Sequence, residues 1–313
     1  MELAFFADPL RGFKVEKDST FAMMAEAVRR GYRVVAFEQG DLALDRDEVI
    51  VRASAVELTG KEDAGWFRVV ETRNRRLETF DAVIVRKDPP FDVEYVNSTY
   101  FLELAEKKGA KVFNRPEAIR SHNEKLTIAQ FPEFIVPTLV TSDESRLRAF
   151  HQEHHDVILK PLNAMGGAGV FRVRVDGVNL GAIIETLTGN GTKTIMIQKY
   201  IPEIAKGDKR VLLINGNVVP FALARIPQNG ETRGNLAAGG LGKVQVLSHR
   251  DREIAETLAP VMAERGLFLA GIDIIGDWLT EVNVTSPTCF REITSQSGFD
   301  VAKMFMDELE KTV

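Results

Sequence analysis

The chain has 313 residues, 44% hydrophobic and 27% charged, enough apolar material for about two or three domains with sizeable cores. Its net charge of −5 argues against broad nucleic-acid binding, and no segment approaches the run of about 18 apolar residues that crosses a bilayer. Cys289 is the single cysteine, which rules out an internal disulfide, and the opening MELAFFADPLRG lacks the charged n-region of a signal peptide, so a soluble cytoplasmic protein is expected.

Over the first 120 residues, strands and helices alternate. ELAFFA reads as a strand, and DSTFAMMAEAVRRG as a helix with its N-cap at Asp18 or Ser19 and a stop at Gly31. YRVVAF and DAVIVR are β-branched runs, Phe101 to Gly109 completes a helix, and KVF follows as a strand. This βαβ order predicts a parallel sheet covered by helices. The basic run RNRR, residues 73–76, reads as a solvated loop. After NRPEAIRSHNEKL the pattern changes. A helix from Glu144 to about His155, the strand VILKPL, a glycine-rich turn, VFRVRV, a helix over Leu180–Thr188 and the strand TIMIQKY form a small α+β unit over residues 121–200. The remainder, 201–313, opens with KRVLLINGNVVPFAL, where Asn215 and Gly216 between apolar runs signal a hairpin. A helix around residues 251–265, a second hairpin and a final amphipathic helix from about Asp300 complete the chain.

That second hairpin, GIDIIGDWLTEVNVTSP over residues 271–287, interrupts two apolar runs with Asp273, Glu281 and Asn283. Residues two apart on a strand share a face, so Glu281 and Asn283 point the same way. A loop centred on Asp277 would set Asp273 opposite Glu281, and three oxygen donors would converge. Two close carboxylates need a proton or a cation between them, and oxygen ligands without Cys or His favour a hard ion, Mg²⁺ above others. On this stretch alone, the polar outer face of an edge hairpin is an equal reading.

LNAMGGAGV, residues 162–170, lies between two strands, and its glycines let backbone N–H groups form an anion-binding concavity. It matches neither the P-loop nor the dinucleotide-binding fingerprint, and Gly60-Lys61 and Gly191-Thr192-Lys193 lack the glycine spacing such loops need. Lys160, among apolar neighbours at the end of VILK, requires an anionic partner. Lys125 is a second candidate, although alone it reads as a surface charge. The long segment ARIPQNGETRGNLAAGG, residues 224–240, holds Arg225, Arg233 and Asn235. Such a loop is a lid, a binding loop or a flexible solvated connection, and two arginines suit a fork on phosphate or carboxylate. His151, His154 and His155 share a helix face at a spacing compatible with metal, but positive charge near a helix C-terminus is favourable in itself. Cys289 reads as a small packing residue.

Taken in order, VRKDPPFD (85–92), LKPLNAMGGAGVFRV (159–173), GDKRVLLING (207–216), the arginine loop and GIDIIGDWLTEVNVTSPTCFREI resemble the bacterial glutathione synthetases of the ATP-grasp superfamily, nearly end to end. One departure is Asn163-Ala164, where the family's glycine loop often carries Asp-Gly. The resemblance implies an α/β and α+β chain with an ATP-grasp fold and an N-terminal βαβ, parallel-sheet domain. Residues 1–120 would form the substrate domain, 121–200 the subdomain with the glycine-rich loop, and 201–313 the subdomain with the metal site and catalytic loop. It implies that ATP, γ-glutamylcysteine and glycine give glutathione, ADP and phosphate through an acyl phosphate. Asp273, Glu281 and Asn283 would hold Mg²⁺, with Mn²⁺ as a substitute. Lys125, Lys160, Gly166 and Gly167 would contact phosphates, Gln198, Lys199, Tyr200 and Ile201 the adenine, and Asp208 the ribose. Arg210, Arg225 and Arg233 would act at the phosphate or acyl centre. Arg86, Asn235, Ser286, Pro287 and Thr288 would hold the peptide substrate and glycine. Residues 226–241 would close over the reacting centre, mobile without ligands and ordered with them. The same pattern serves ligases that join D-alanines or add glutamates to a protein tail, and a synapsin-type ATP-binding protein is a non-catalytic alternative. Family members are commonly tetramers, so a homo-oligomer is expected.

Overall fold

Apolar runs that alternate with capped amphipathic segments give this chain three sheets, seen in a computed structural model that describes residues 1–61, 65–228, 230, 231, 233–236 and 239–313. The first part runs through β1 (Glu2–Ala7), α1 (Ser19–Arg29), β2 (Arg33–Phe37), β3 (Leu42–Asp45), β4 (Glu48–Leu58), β5 (Phe67–Arg76), β6 (Ala82–Arg86), α2 (Val93–Lys107), β7 (Val112–Phe113) and α3 (Pro116–Ser121). The Asp18 side chain caps α1 by accepting from the Phe21 N–H at 2.8 Å, and Gly31 leaves the helix with φ of +77°. β2, β1, β6 and β7 pair in parallel, as the βαβ order predicts. The sheet is mixed, however, because β3, β4 and β5 add an antiparallel meander. Residues 73–76 are therefore strand, not loop. β5 is largely exposed and carries charges that pair across strands, such as Arg68–Glu57 at 2.5 Å and Arg76–Glu48 at 3.1 Å, so the apolar alternation that marks a half-buried strand is missing.

The middle of the chain folds as β8 (Thr138–Thr141), α4 (Glu144–His154), β9 (Val157–Pro161), β10 (Phe171–Val173), α5 (Leu180–Thr188) and β11 (Ile195–Lys199), an antiparallel sheet ordered β10-β9-β11-β8. The last part comprises β12 (Asp208–Ile214), β13 (Asn217–Ile226), β14 (Leu241–Val246), α6 (His249–Glu264), β15 (Leu269–Ile275), β16 (Trp278–Asn283), α7 (Phe290–Ser297) and α8 (Val301–Glu310), with strands ordered β14-β13-β12-β15-β16.

In the β15–β16 hairpin the loop is not odd-numbered. Ile275 pairs with Trp278 across the two-residue turn Gly276-Asp277, and an unpaired Thr280 then shifts the register so that Asp273 meets Glu281. The bulge has a second use. The Thr280 carbonyl accepts a hydrogen bond from Lys160 Nζ at 3.3 Å, bringing the second sheet to the third.

The sheets occupy residues 2–113, 138–199 and 208–283, and we propose 1–120, 121–200 and 201–313 as the corresponding units. The largest core nevertheless crosses that division. Leu3, Phe5, Met23 and Met24 share it with Leu212, Ile214 and Leu223 through Phe290, Phe305, Met306 and Leu309. Arg30 fastens the seam, pairing at 2.7 Å with each of Glu26 on its own helix and Asp307 and Glu310 on α8. No helix among the described residues is long and apolar enough to cross a membrane.

Candidate active site

Between the second and third sheets and the segment after β6 lies a cleft of about 320 Å³. It gathers Lys125, Lys160, Gly166, Gly167, Gln198, Lys199, Tyr200, Ile201, Asp208, Arg210, Arg225, Arg233, Asn235, Glu281, Asn283, Ser286 and Thr288. Asp273, Arg86 and Pro287 do not line it, but each supports residues that do.

Strand register builds the floor. Arg210, Asp273 and Glu281 stand side by side on β12, β15 and β16, and Asp208 pairs with Arg225 on β13. Asp273 accepts from Arg210 Nε at 2.5 Å and Nη2 at 2.8 Å, and Arg225 Nη2 lies 2.8 Å from Asp273 Oδ2. Burial opposes the charge on Asp273, but the two guanidiniums more than offset it and hold the carboxyl well below its ordinary range. Arg225 also donates to Asp208 Oδ2 at 2.5 Å, while Asp208 Oδ1 is buried without a partner. Desolvation there outweighs the attraction of Arg225 and pushes the Asp208 carboxyl up to about 6. Glu281 Oε1 pairs with Lys125 Nζ at 3.0 Å. Lys125 is thus buried, contrary to its reading as a surface charge, and Lys160 is also buried. Desolvation brings the Lys160 ammonium down to about 8, although Glu281 opposes the shift. With the Thr280 carbonyl as its one hydrogen-bond partner among the described residues, this ammonium is prepared for an anion.

Two loops overhang the floor. In the glycine-rich turn Gly166 and Gly167 have φ of +62° and +81°, and a side chain at Gly167 would meet Asn235 Oδ1. Arg233 Nη1 donates to the Gly167 carbonyl at 3.2 Å, so the arginine loop rests directly on the turn. A side chain at Gly234 would collide with the Arg225 carbonyl, which is why the loop root needs glycine there. Asn229, Thr232, Ala237 and Ala238 of the anticipated 226–241 lid lie outside the described residues. The departing pair Asn163-Ala164 anchors the turn, with Asn163 Oδ1 accepting from Asn123 Nδ2 at 2.9 Å and the Ala164 carbonyl from Lys125 Nζ at 2.7 Å.

At one end of the cleft, Gln198 Nε2 donates to Thr138 Oγ1 at 2.9 Å, and the Arg172 guanidinium sits 3.5 Å from the centre of the Tyr200 ring. At the other end, buried Arg86 donates to Thr20 Oγ1 and to the Pro287 carbonyl, each at 3.0 Å, seating the Ser286–Thr288 turn.

Two cleft residues escaped the sequence reading. Glu124 Oε1 accepts from the Val284 and Thr285 N–H groups at 2.9 and 3.2 Å and from Thr285 Oγ1 at 2.9 Å, fixing the chain beyond β16. Burial raises its carboxyl, assisted by the nearby Glu281 charge. Its only signal was an acid beside Lys125 in SHNEKL. Asp88, within VRKDPPFD, also lines the cleft.

The oxygen donors fit a hard divalent ion. Glu281 Oε2 and Asn283 Oδ1 have no protein partner among the described residues, and Asn283 Nδ2 is turned away toward the Gly271 carbonyl at 3.1 Å and Asp273 Oδ2 at 3.3 Å. Asp273 Oδ1, with one guanidinium donor, retains a lone pair. Among the described residues no group of three or more His, Cys, Asp or Glu side chains could hold a metal, so an ion in the cleft would rest on two carboxylates and an amide. His151 bonds the Arg174 carbonyl at 2.7 Å and His154 packs on Phe150. Cys289 is fully buried, and desolvation pushes its thiol up.

Two family models match this chain: the prokaryotic glutathione synthetase N-terminal domain over residues 1–120 and the prokaryotic glutathione synthetase ATP-grasp domain over residues 124–298. The glutathione synthetase of Ralstonia nicotianae is 60% identical over 311 residues, 99% of this chain and 96% of its own length. Among solved structures, a D-cycloserine synthetase superposes with a TM-score of 0.70 at 16% identity over 100% of this chain and 99% of its own. The ATP-grasp ligase PsnB, complexed with a minimal precursor, Mg and ADP, gives 0.63 at 18% identity over 99% and 97%. At these identities the two structures speak for the fold alone.

Proposed function

The chain belongs to the prokaryotic glutathione synthetase family, and from that membership we propose how its cleft joins γ-glutamylcysteine to glycine at the expense of ATP. The observation that carries the reading is the row Arg210–Asp273–Glu281, completed by Lys125 and Lys160 beneath the glycine-rich turn.

ATP lies with its adenine between Gln198, Lys199, Tyr200 and Ile201, and with its ribose toward Asp208. Its phosphates meet Lys125, Lys160 and the backbone of Gly166 and Gly167. Glu281, Asn283 and Asp273 would hold the divalent metal, Mg²⁺ by preference, which would neutralise phosphate charge. The donor peptide is held by Arg86, Asn235 and the Ser286–Thr288 turn; its cysteinyl carboxylate attacks the γ-phosphorus, and ADP leaves. Arg210 and Arg225 then stabilise the oxyanion that forms when the amine of glycine adds to the acyl carbon. Phosphate departs, and the amide nitrogen gives up its proton. Arg233, brought over by its loop, covers the acyl phosphate against water. Because ATP activates the carboxylate, no enzyme nucleophile is required. We further propose a cytoplasmic homotetramer, supported by exposed Val93, Tyr100 and Leu104 along α2.

A phosphate-release assay tests this. Release should require γ-glutamylcysteine and glycine together, match peptide formed, and vanish when D-alanine replaces both. Release with D-alanine would point to another ligase of this fold, and nucleotide binding without turnover to a binding protein.

A further inference from the structure

We propose that Asp88 binds the α-ammonium of the γ-glutamyl residue and so reads the γ-linkage of the donor peptide. The inference rests on the reading of the cleft as a glutathione synthetase site. Among the described residues four carboxylates line the cleft: Asp88, Glu124, Asp208 and Glu281. Three are engaged, Glu124 by Val284 and Thr285, Asp208 by Arg225, and Glu281 by Lys125. Among the described residues nothing donates a hydrogen bond to the carboxylate of Asp88.

Its backbone, in contrast, is fixed at both ends. The Asp88 N–H donates to Asp8 Oδ2 at 2.8 Å, and the Asp88 carbonyl accepts from Lys87 Nζ at 2.9 Å. Lys87 Nζ in turn lies 2.7 Å from Asp8 Oδ1. Asp8 directly follows β1 and Lys87 directly follows β6, so two adjacent parallel strands end in this strap. A carboxylate without a hydrogen-bond donor on a held backbone, with buried Arg86 as a nearby charge, is preorganised for a further cation.

Among the cleft's reactants the candidate cations are few. Nucleotide and acyl phosphate are anions. The divalent metal has Glu281 and Asn283, and the acceptor amine must be neutral when it attacks. The donor peptide remains. Because its glutamyl residue is linked through the side-chain carboxyl, one carbon keeps both a free ammonium and a free carboxylate. Asp88 matches the ammonium. Ser286 and Thr288, which also line the cleft, offer hydroxyls to the carboxylate, and Arg86 places their turn near Asp88 by holding the Pro287 carbonyl. An α-linked dipeptide would present its ammonium elsewhere.

The test uses Asp88→Asn in the full-length protein with Mg²⁺, ATP and glycine. The side chain accepts no hydrogen bond among the described residues, so the variant should fold, with a melting temperature lowered only by the lost attraction to buried Arg86. KM for γ-glutamylcysteine should rise by about 10- to 100-fold, the effect expected for losing a bond to a charged group. KM for ATP and for glycine should stay within about threefold of wild type. The second donor is N-glutarylcysteine, which lacks the ammonium alone. Wild type should lose on it what Asp88→Asn loses on the natural donor, and the variant should use it as well as wild type does. An equal handicap of the variant on both donors, or a loss confined to the KM for glycine, would overturn the assignment. Wild type without any glycine-dependent phosphate release would overturn the reading of the cleft and this proposal with it.

Discussion

Beneath the cleft, two guanidiniums hold Asp273 through three contacts and the Asn283 amide adds a fourth, all of 3.3 Å or less. Above it, among the described residues, the arginine loop reaches the glycine turn by a hydrogen bond from Arg233 to the Gly167 carbonyl. The floor is a ladder of strands whose charges are buried, and removing one partner of such a pair costs about 3–5 kcal/mol because the other charge is stranded. Groups that stabilise charge must be in place before reaction, whereas groups that exclude water must also let substrates in. The contrast follows from those two duties.

The strongest test removes one floor charge without changing volume. Glu281→Gln should still fold, with a melting temperature lowered because buried Lys125 loses its partner, while kcat falls by about 10²- to 10⁴-fold. Near-normal Mg²⁺-dependent turnover in the folded variant would remove Glu281 from the metal set. A smaller effect is expected from the lid. Shortening residues 226–241 while keeping Arg225 should leave ATP affinity within about an order of magnitude, yet raise phosphate released per peptide formed above one. A ratio that stays at one would mean that this loop is not the water shield. The smallest effect concerns Lys160. In the free protein burial lowers its ammonium to about 8, and phosphate beside it raises that value again. Binding of nucleotide at about pH 8.5 should therefore take up a proton, and affinity should fall by less than about tenfold per pH unit as pH rises through 8. Calorimetry in two buffers of different ionisation enthalpy measures the uptake, which Lys160→Arg should abolish. Equal heats in both buffers would show that Lys160 is already fully charged.

Legibility in the sequence follows the same contrast. Floor residues sit on strands, where period two and hairpin turns set neighbours, so Asp273 opposite Glu281 could be anticipated. The reason was only half right, since a two-residue turn and the Thr280 bulge together produce that register. Asp88 and Glu124 carry no periodic signal, because each lies between elements and is placed by tertiary hydrogen bonds. The antiparallel strands β3 to β5 went unread for a different reason: their outward positions are charged, and cross-strand ion pairs replace the apolar alternation. Asn163 illustrates the limit of motif reading. Its departure from the usual glycine loop is explained by Asn123, forty residues earlier, which no local pattern connects to it.

The seam between α1 and α8 has a consequence for biosynthesis. Phe290, Phe305, Met306 and Leu309 close apolar faces on both the first and the third sheets, and each such side chain contributes roughly 1.5–3 kcal/mol on burial. During translation Leu3, Phe5, Met23 and Met24 emerge hundreds of residues before the helices that cover them. Until α8 leaves the ribosome, the first sheet keeps part of its inner surface open to water and to chaperones.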